Sequence, residues 1–341
     1  MNNKTFGCVL AAVVAVLLVS IGFNFLQFLA LISAGSVDVS DVRIPPKMSE
    51  TQVEKAEAGV KSKIVQIDIE GVITSMAAES LLGGSGSSMV DKIKRALRQA
   101  KEDDEVKAII LKINSPGGEV TASDIIYAAV KETAAVKPVV VYMDSIAASG
   151  GYYIACGASK IVASETTLTA SIGVIIQGLN YSDLFGKVGL QAQTFTSGAF
   201  KDTLSGARPM REDEKAYVQG LVDDMYGKFL GIVAEARKVP AQTLKNTVAD
   251  GRVVTGGQAL EAKLVDQLGY IEDAYALAME LGEAKGAAVV RYGTETNFFD
   301  ALGLMSATAK QSPEVKLDLG ASLGISLRPG VPYFLPAGMV R

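Results

Sequence analysis

Three glycine-rich junctions hold the residues of this 341-residue chain whose types and spacing could do chemistry. The first is Asn114-Ser115-Pro116-Gly117-Gly118, directly after an apolar run. A glycine pair lets the backbone turn sharply and approach a ligand closely. Its amides could then face a site as an oxyanion hole. A strand-to-helix turn with no ligand is the plain alternative. The second is Asp144-Ser145-Ile146-Ala147-Ala148-Ser149-Gly150-Gly151-Tyr152-Tyr153. A serine opening a helix sits where backbone amides and the helix dipole favour developing negative charge, and Gly150 leaves its amide open. Ser149 is thus a candidate nucleophile, or only an N-cap. Ser145 and Ser115 are weaker rivals, since neither stands just before the glycine pair and helix. Cys156 reads as a small core residue. The third junction is Thr196-Ser197-Gly198-Ala199-Phe200-Lys201-Asp202. A lysine acts as a general base only where burial or nearby positive charge favours its neutral form. Asp202 works against this unless its side chain points elsewhere.

The chain contains no histidine. That excludes a Ser-His-Asp triad, a Cys-His dyad and a histidine-based zinc site. Proton transfer must fall to Lys, Asp, Glu, Tyr or a terminus. The two cysteines, Cys8 and Cys156, are not expected to pair, so there is no disulfide framework. The net charge is −4, and no basic cluster with interleaved aromatics suggests a nucleic-acid partner.

The elements that must position these junctions follow from hydrophobic patterning. Residues 7–34 are nearly all apolar, with Asn24 and Gln27 the main interruptions. That is long enough for one transmembrane helix, whereas a cleavable signal has a shorter apolar core. The flanking charges do not settle its orientation. Residues 35–62 read as a polar linker, with a short helix from Glu50 to Ala58. Strands are expected at Ile64–Ile69, Val106–Ile113 and Val139–Met143, and helices at Asp91–Ala100 and Asp124–Thr133. The glycine-serine run around Gly83–Ser88 reads as a loop and is no phosphate-binding loop, since no Gly-Lys-Ser/Thr closes it. Met210–Val239 reads as a long packing helix, with Tyr217, Leu221, Met225 and Phe229 on one face. Past Glu283 the pattern weakens, and Val331–Pro336 reads as an extended tail or docked segment. The strand–helix alternation makes the fold class α/β.

Together these motifs resemble the signal peptide peptidase A family, short form. The order Asn-Ser-Pro-Gly-Gly, Ala-Ala-Ser-Gly-Gly-Tyr-Tyr, Thr-Ala-Ser-Ile-Gly-Val, Ser-Gly-Ala-Phe-Lys-Asp and Asp-Gly-Arg is similar to that family's, across roughly residues 63–280. The resemblance implies a Clp protease/crotonase-like spiral of β-β-α units. It implies an anchor (1–34), a linker (35–62), a peptidase domain (63–292) and a C-terminal extension (293–341). It also assigns roles: Ser149 as nucleophile, Lys201 as general base, Ser171 as the hydroxyl that orients the lysine, and the Gly118 and Gly150 amides as oxyanion hole. No cofactor or metal is implied. The implied substrates are cleaved signal peptides and other apolar peptides. The implied setting is the bacterial cytoplasmic membrane, single-pass, with the catalytic domain extracytoplasmic. The implied assembly is a homo-oligomer, an octamer, with Lys201 of one subunit serving Ser149 of the next. A crotonase-type acyl-CoA enzyme and an inactive membrane scaffold are the alternatives.

Overall fold

A computed structural model of the chain describes residues 17–26, 47–79, 85–293 and 333–334. Its contacts separate Met1–Lys47 from Met48–Arg341. In the first unit residues 17–26 form a helix, α1, with exposed side chains. Among the described residues no helix is long and apolar enough to cross a membrane, and the rest of the 7–34 apolar stretch lies outside them.

The second unit runs β1 (Ser49–Glu54), β2 (Lys63–Glu70), β3 (Ala77–Glu79), β4 (Ser85–Ser88), α2 (Met89–Glu102), β5 (Val106–Ser115), β6 (Gly118–Glu119) and α3 (Val120–Ala134). It continues through β7 (Val139–Ala148), α4 (Gly150–Ala155), β8 (Lys160–Ala163), β9 (Leu168–Ala170), α5 (Ser182–Lys187), α6 (Glu212–Arg237) and α7 (Ala241–Thr247). The last elements are β10 (Val253–Thr255), α8 (Gly256–Glu261), β11 (Gln267–Leu268), α9 (Ile271–Leu281), β12 (Ala288–Gly293) and β13 (Tyr333–Phe334).

The main sheet has the order β1-β12-β2-β5-β7-β8-β11, parallel except for β1 against β12. Its central strands are buried on both faces, as parallel sheets require. In β5, Ile109, Leu111 and Ile113 face a core shared with α2, α3 and α4, while Ala108 and Ile110 face a second core under α9. In β7, Val139, Val141 and Met143 divide from Val140 and Tyr142 in the same way.

The same sheet extends at the ends of these strands through β9 and β10, and the first two glycine junctions lie there. Ile73 bridges Gly118, Ser115 pairs with Ala147, and Ala147 pairs with Thr169 of β9, all in parallel. Strand β10 then closes antiparallel on β9. Strand, short extension and helix thus recur, a mixed α/β arrangement consistent with the Clp protease-like fold.

Several sequence expectations give way here. Glu50–Ala58 is not helical. Helix-favouring Glu, Lys and Ala lose to backbone pairing along the open edge of β12, so Ser49–Glu54 becomes an edge strand. Within the glycine-serine run, Ser85–Ser88 is a strand paired with β3, and residues 80–84 lie outside the description. Strand β7 runs five residues past Met143, to Ala148, because it changes partner from β8 to β9. The buried apolar residues of helix α6, Phe229, Leu230 and Val233, all lie in its second half. Tyr217 is exposed and lies beside the Phe200 ring. Of the C-terminal extension, Gly293 at the end of β12 and the two residues of β13 are described.

Candidate active site

Ser149 sits at the end of β7, where the strand turns into α4. Its φ of 52° and ψ of −112° are unusual for any residue with a Cβ. Such a conformation costs about 1–3 kcal/mol and persists only when the surroundings enforce it. Those surroundings are visible. The Ser149 amide donates to the Ala170 carbonyl (2.7 Å), and its carbonyl accepts from the Tyr153 amide (2.8 Å). The next helix is held by two buried rings: Tyr152 Oη donates to the Leu264 carbonyl (2.9 Å) and Tyr153 Oη to Asp124 Oδ1 (2.7 Å).

The Ser149 side chain is fully buried, caps no amide of α4, and among the described residues has no hydrogen-bond partner at Oγ. A plain N-cap is therefore excluded as its role. An unpaired buried hydroxyl costs about 1–3 kcal/mol, and it lies on the same residue that bears the backbone strain.

The two glycine junctions meet at this serine. A Cβ on Gly150 would lie 3.1 Å from the Gly118 amide nitrogen and 3.2 Å from Gly117 Cα. A Cβ on Gly118 would lie 2.0 Å from the Ile73 carbonyl oxygen. Gly117 has φ 108°, a conformation glycine adopts freely. Glycine is thus required by close backbone approach at Gly118 and Gly150 and by conformation at Gly117. The turn is fixed from below by Ser115, whose Oγ accepts from the Gly117 amide (3.1 Å), which gives that serine a structural role.

Ser171 is buried beside this turn. It follows Ala170, and both have left-handed φ, 62° and 52°. Its amide donates to the Arg252 carbonyl (2.9 Å) and its Oγ to the Gly251 carbonyl (3.2 Å). Four of the five sequence-singled residues, Gly118, Ser149, Gly150 and Ser171, therefore share one small region. Among the described residues no hydrogen bond links Lys201 to them. It is exposed in a turn where its amide donates to the Gly198 carbonyl (3.1 Å), and among the described residues its amine has no partner.

The rivals fare worse. Ser145 is exposed on the strand. Cys156 is buried, and desolvation pushes its thiol up to about 12, so it is not a thiolate near neutral pH. Among the described residues no group of His, Cys, Asp and Glu could hold a metal ion.

Two features escaped the sequence reading, while a third bears out the docked segment expected at Val331–Pro336. Ser123 Oγ, which donates to the Glu119 carbonyl (2.9 Å), packs against Gly150. Its only local signal is the four-residue step along α3. Arg208 spans Asp202 and Glu214 across Pro209, with no periodicity to mark it. Strand β13 pairs antiparallel with β6, Phe334 opposite Gly118 and Tyr333 opposite Glu119. An extended segment of the chain's own end therefore lies along the strand that bears Gly118.

Comparison with known proteins matches the same region. The model of peptidase family S49 matches residues 131–285, and that of the Clp proteases matches residues 60–180. A putative signal peptide peptidase SppA of Enterococcus faecium is 38% identical over 256 residues, 74% of this chain and 73% of that protein. The chloroplastic serine protease SPPA of Arabidopsis thaliana is 34% identical, covering 58% of this chain and 30% of that one. Protease 4 of Salmonella typhi is 36% identical over 72% of this chain, which spans only 39% of that enzyme. Among solved structures, a 1510-N membrane-bound stomatin-specific protease mutant with a substrate peptide aligns with a TM-score of 0.45 and 16% identity. It covers 72% of this chain and 99% of that one. With a strained serine between two glycine turns, no histidine, and a relative matched over most of both lengths, the chain belongs to peptidase family S49, the serine peptidases of the signal peptide peptidase A family.

Proposed function

We propose that the chain cleaves peptides through a Ser149–Lys201 dyad. The observation that carries this reading is Ser149 itself: buried, backbone-strained, unpartnered at Oγ, and flanked by the two glycine turns. Ser149 Oγ attacks the scissile carbonyl carbon as the lysine amine takes its proton. The carbonyl oxygen becomes an oxyanion held by the Gly118 and Gly150 amides. The lysine then gives the proton to the leaving amine as the C–N bond breaks. A water, deprotonated by the same amine, releases the acyl group and restores Ser149. Ser171 orients the amine.

The lysine comes from a neighbouring subunit. Lys201 is exposed, and among the described residues its amine has no partner. The segment carrying it exposes large apolar groups, Leu179, Leu184, Val188, Leu190 and Phe200, with Phe195 at 95%. Contiguous apolar exposure of this kind suits an interface. A closed ring, an octamer, would bury it and enclose the sites.

Substrates lie along β6 as antiparallel strands, in the manner of Tyr333–Phe334. Apolar peptides, including signal peptides left in the bilayer, fit this reading. Residues 7–34 would anchor the protein by a single helix, with the catalytic unit extracytoplasmic. A crotonase-type acyl-CoA reading has no observation in its favour.

Subunit mixing tests the dyad. Ser149→Ala and Lys201→Ala proteins should each be inactive, and mixing them should restore activity through hybrid sites. An active Lys201→Ala protein, or mixtures that stay dead after subunit exchange is verified by tagged-subunit pull-down, would overturn it.

A further inference from the structure

Asp202 adjoins Lys201, and a free carboxylate there would hold the amine charged. The structure gives that carboxylate another partner. Arg208 Nη2 donates to Asp202 Oδ1 (2.7 Å) and Nε to Oδ2 (2.8 Å), a two-bond fork. The same guanidinium grips a second carboxylate, with Nη1 donating to Glu214 Oε2 (2.8 Å) and Nη2 to Oε1 (2.5 Å). Glu214 lies in the first turn of α6 with its side chain 1% exposed, and its Oε2 also accepts the Arg211 amide (2.9 Å). Arg211 Nη2 in turn donates to the Ala199 carbonyl (2.8 Å). The turn from Gly198 to Arg211 is therefore tied to the start of α6 at both ends. Paired, planar forks of this kind give fixed geometry as well as attraction.

We infer that Arg208 is a positioning residue for the proposed reaction: it fixes the turn that presents Lys201 and engages the Asp202 carboxylate that would otherwise pair with the lysine amine. The inference rests on Lys201 as the base. The charged groups around this turn are Asp202 and Arg208 within it and, from the first turn of α6 and its flank, Arg211, Glu212, Asp213, Glu214 and Lys215. Arg211 also pairs with Asp213 (3.0 Å) and Lys215 with Glu212 (2.6 Å). Removing Arg208 leaves Asp202 as the carboxylate adjacent to Lys201 with no fork to hold it. An opposite charge nearby favours the ammonium form, so less neutral amine is present at a given pH. Consistent with the pairing, the Arg208 guanidinium holds the Asp202 carboxyl below the usual range and Glu214 at about 2.

The test uses the full chain in detergent. Acylation by a fluorophosphonate probe and peptide kcat/KM are followed from about pH 6 to about pH 10. Arg208→Gln should move the rising limb up by about one pH unit, about tenfold less activity on that limb. Adding Asp202→Asn to it should return the limb to the wild-type position, leaving only a uniform loss from the looser turn. A merely structural Arg208 predicts no limb shift and no return. An unmoved limb in Arg208→Gln, or a double variant as shifted as the single, overturns the inference. Should Arg208→Gln fail to fold, Arg208→Lys decides: keeping the charge, it should hold the limb in place while lowering kcat/KM, and an upward shift overturns the inference. Lys201→Ala separates the two layers. Activity in that variant removes the dyad reading itself, whereas an inactive Lys201→Ala with an unmoved Arg208→Gln limb removes only the role given to Arg208.

Discussion

Gly150→Ala tests the site at its tightest point. The added Cβ would lie 2.5 Å from Ser123 Oγ, 3.1 Å from the Gly118 nitrogen and 3.2 Å from Gly117 Cα. Two of these neighbours are backbone and cannot rotate away. The third, Ser123 Oγ, is buried and committed to the Glu119 carbonyl. Overpacking of this kind costs about 1–3 kcal/mol. Breaking the Ser123 bond adds about 1 kcal/mol. The larger effect should be on turnover, because relief of the clash pushes the Gly117–Gly118 turn away from Ser149. Losing one oxyanion donor lowers kcat by about 10²–10³. Thermal unfolding and fluorophosphonate labelling read the two effects separately. Adding Ser123→Ala removes the 2.5 Å contact but not the contacts with Gly118 and Gly117. The double variant should therefore regain much of the lost stability and little of the lost rate. A Gly150→Ala protein whose kcat stays within about threefold of wild type would refute both the steric argument and the assignment of these amides.

Ser149→Ala should abolish turnover without lowering Tm, since Oγ caps no helix amide and has no partner among the described residues; a clearly lower Tm would mean a structural role. Ser149→Gly should raise stability by up to about 1–3 kcal/mol by relieving the positive φ, and no gain in chemical denaturation would count against stored strain there. Because burial raises the Cys156 thiol from 9.0 to about 12, native protein at pH 8 should resist iodoacetamide at that residue by peptide mapping. The sign carries over to stability. Above pH 9 the unfolded thiol ionises while the folded one does not, so this group destabilises the fold as pH rises, and Cys156→Ala should flatten that fall. Truncation before Val331 removes the segment paired with β6 and should lower KM for an extended peptide; an unchanged KM would mean that β6 is not the substrate strand.

What the sequence disclosed and what it hid divide along the reach of the interactions concerned. Strands β5 and β7 were legible because both faces are buried, so their apolar runs needed no partner to be recognised. The Ser149 junction was legible because its strain is local: a strand, one serine and two glycines occupy consecutive positions. Strand β1 was misread because its strand character comes from β12, far along the chain, against its own residue preferences. The length of β7 was misread for a similar reason, since its last residues owe their conformation to β9. The Asp202–Arg208–Glu214 network had no signature, because charged residues around a proline-containing turn look like any solvated surface until the guanidinium is seen between two carboxylates. Lys201 stands furthest from local inference. Among the described residues nothing bonds its amine and its side chain is exposed, so the sequence could offer it as a candidate while the family resemblance alone gave it the role of base. That asymmetry is what a base supplied by a second subunit would produce: a nucleophile shaped by its own backbone, and a lysine whose chemistry depends on a surface that the isolated chain leaves open.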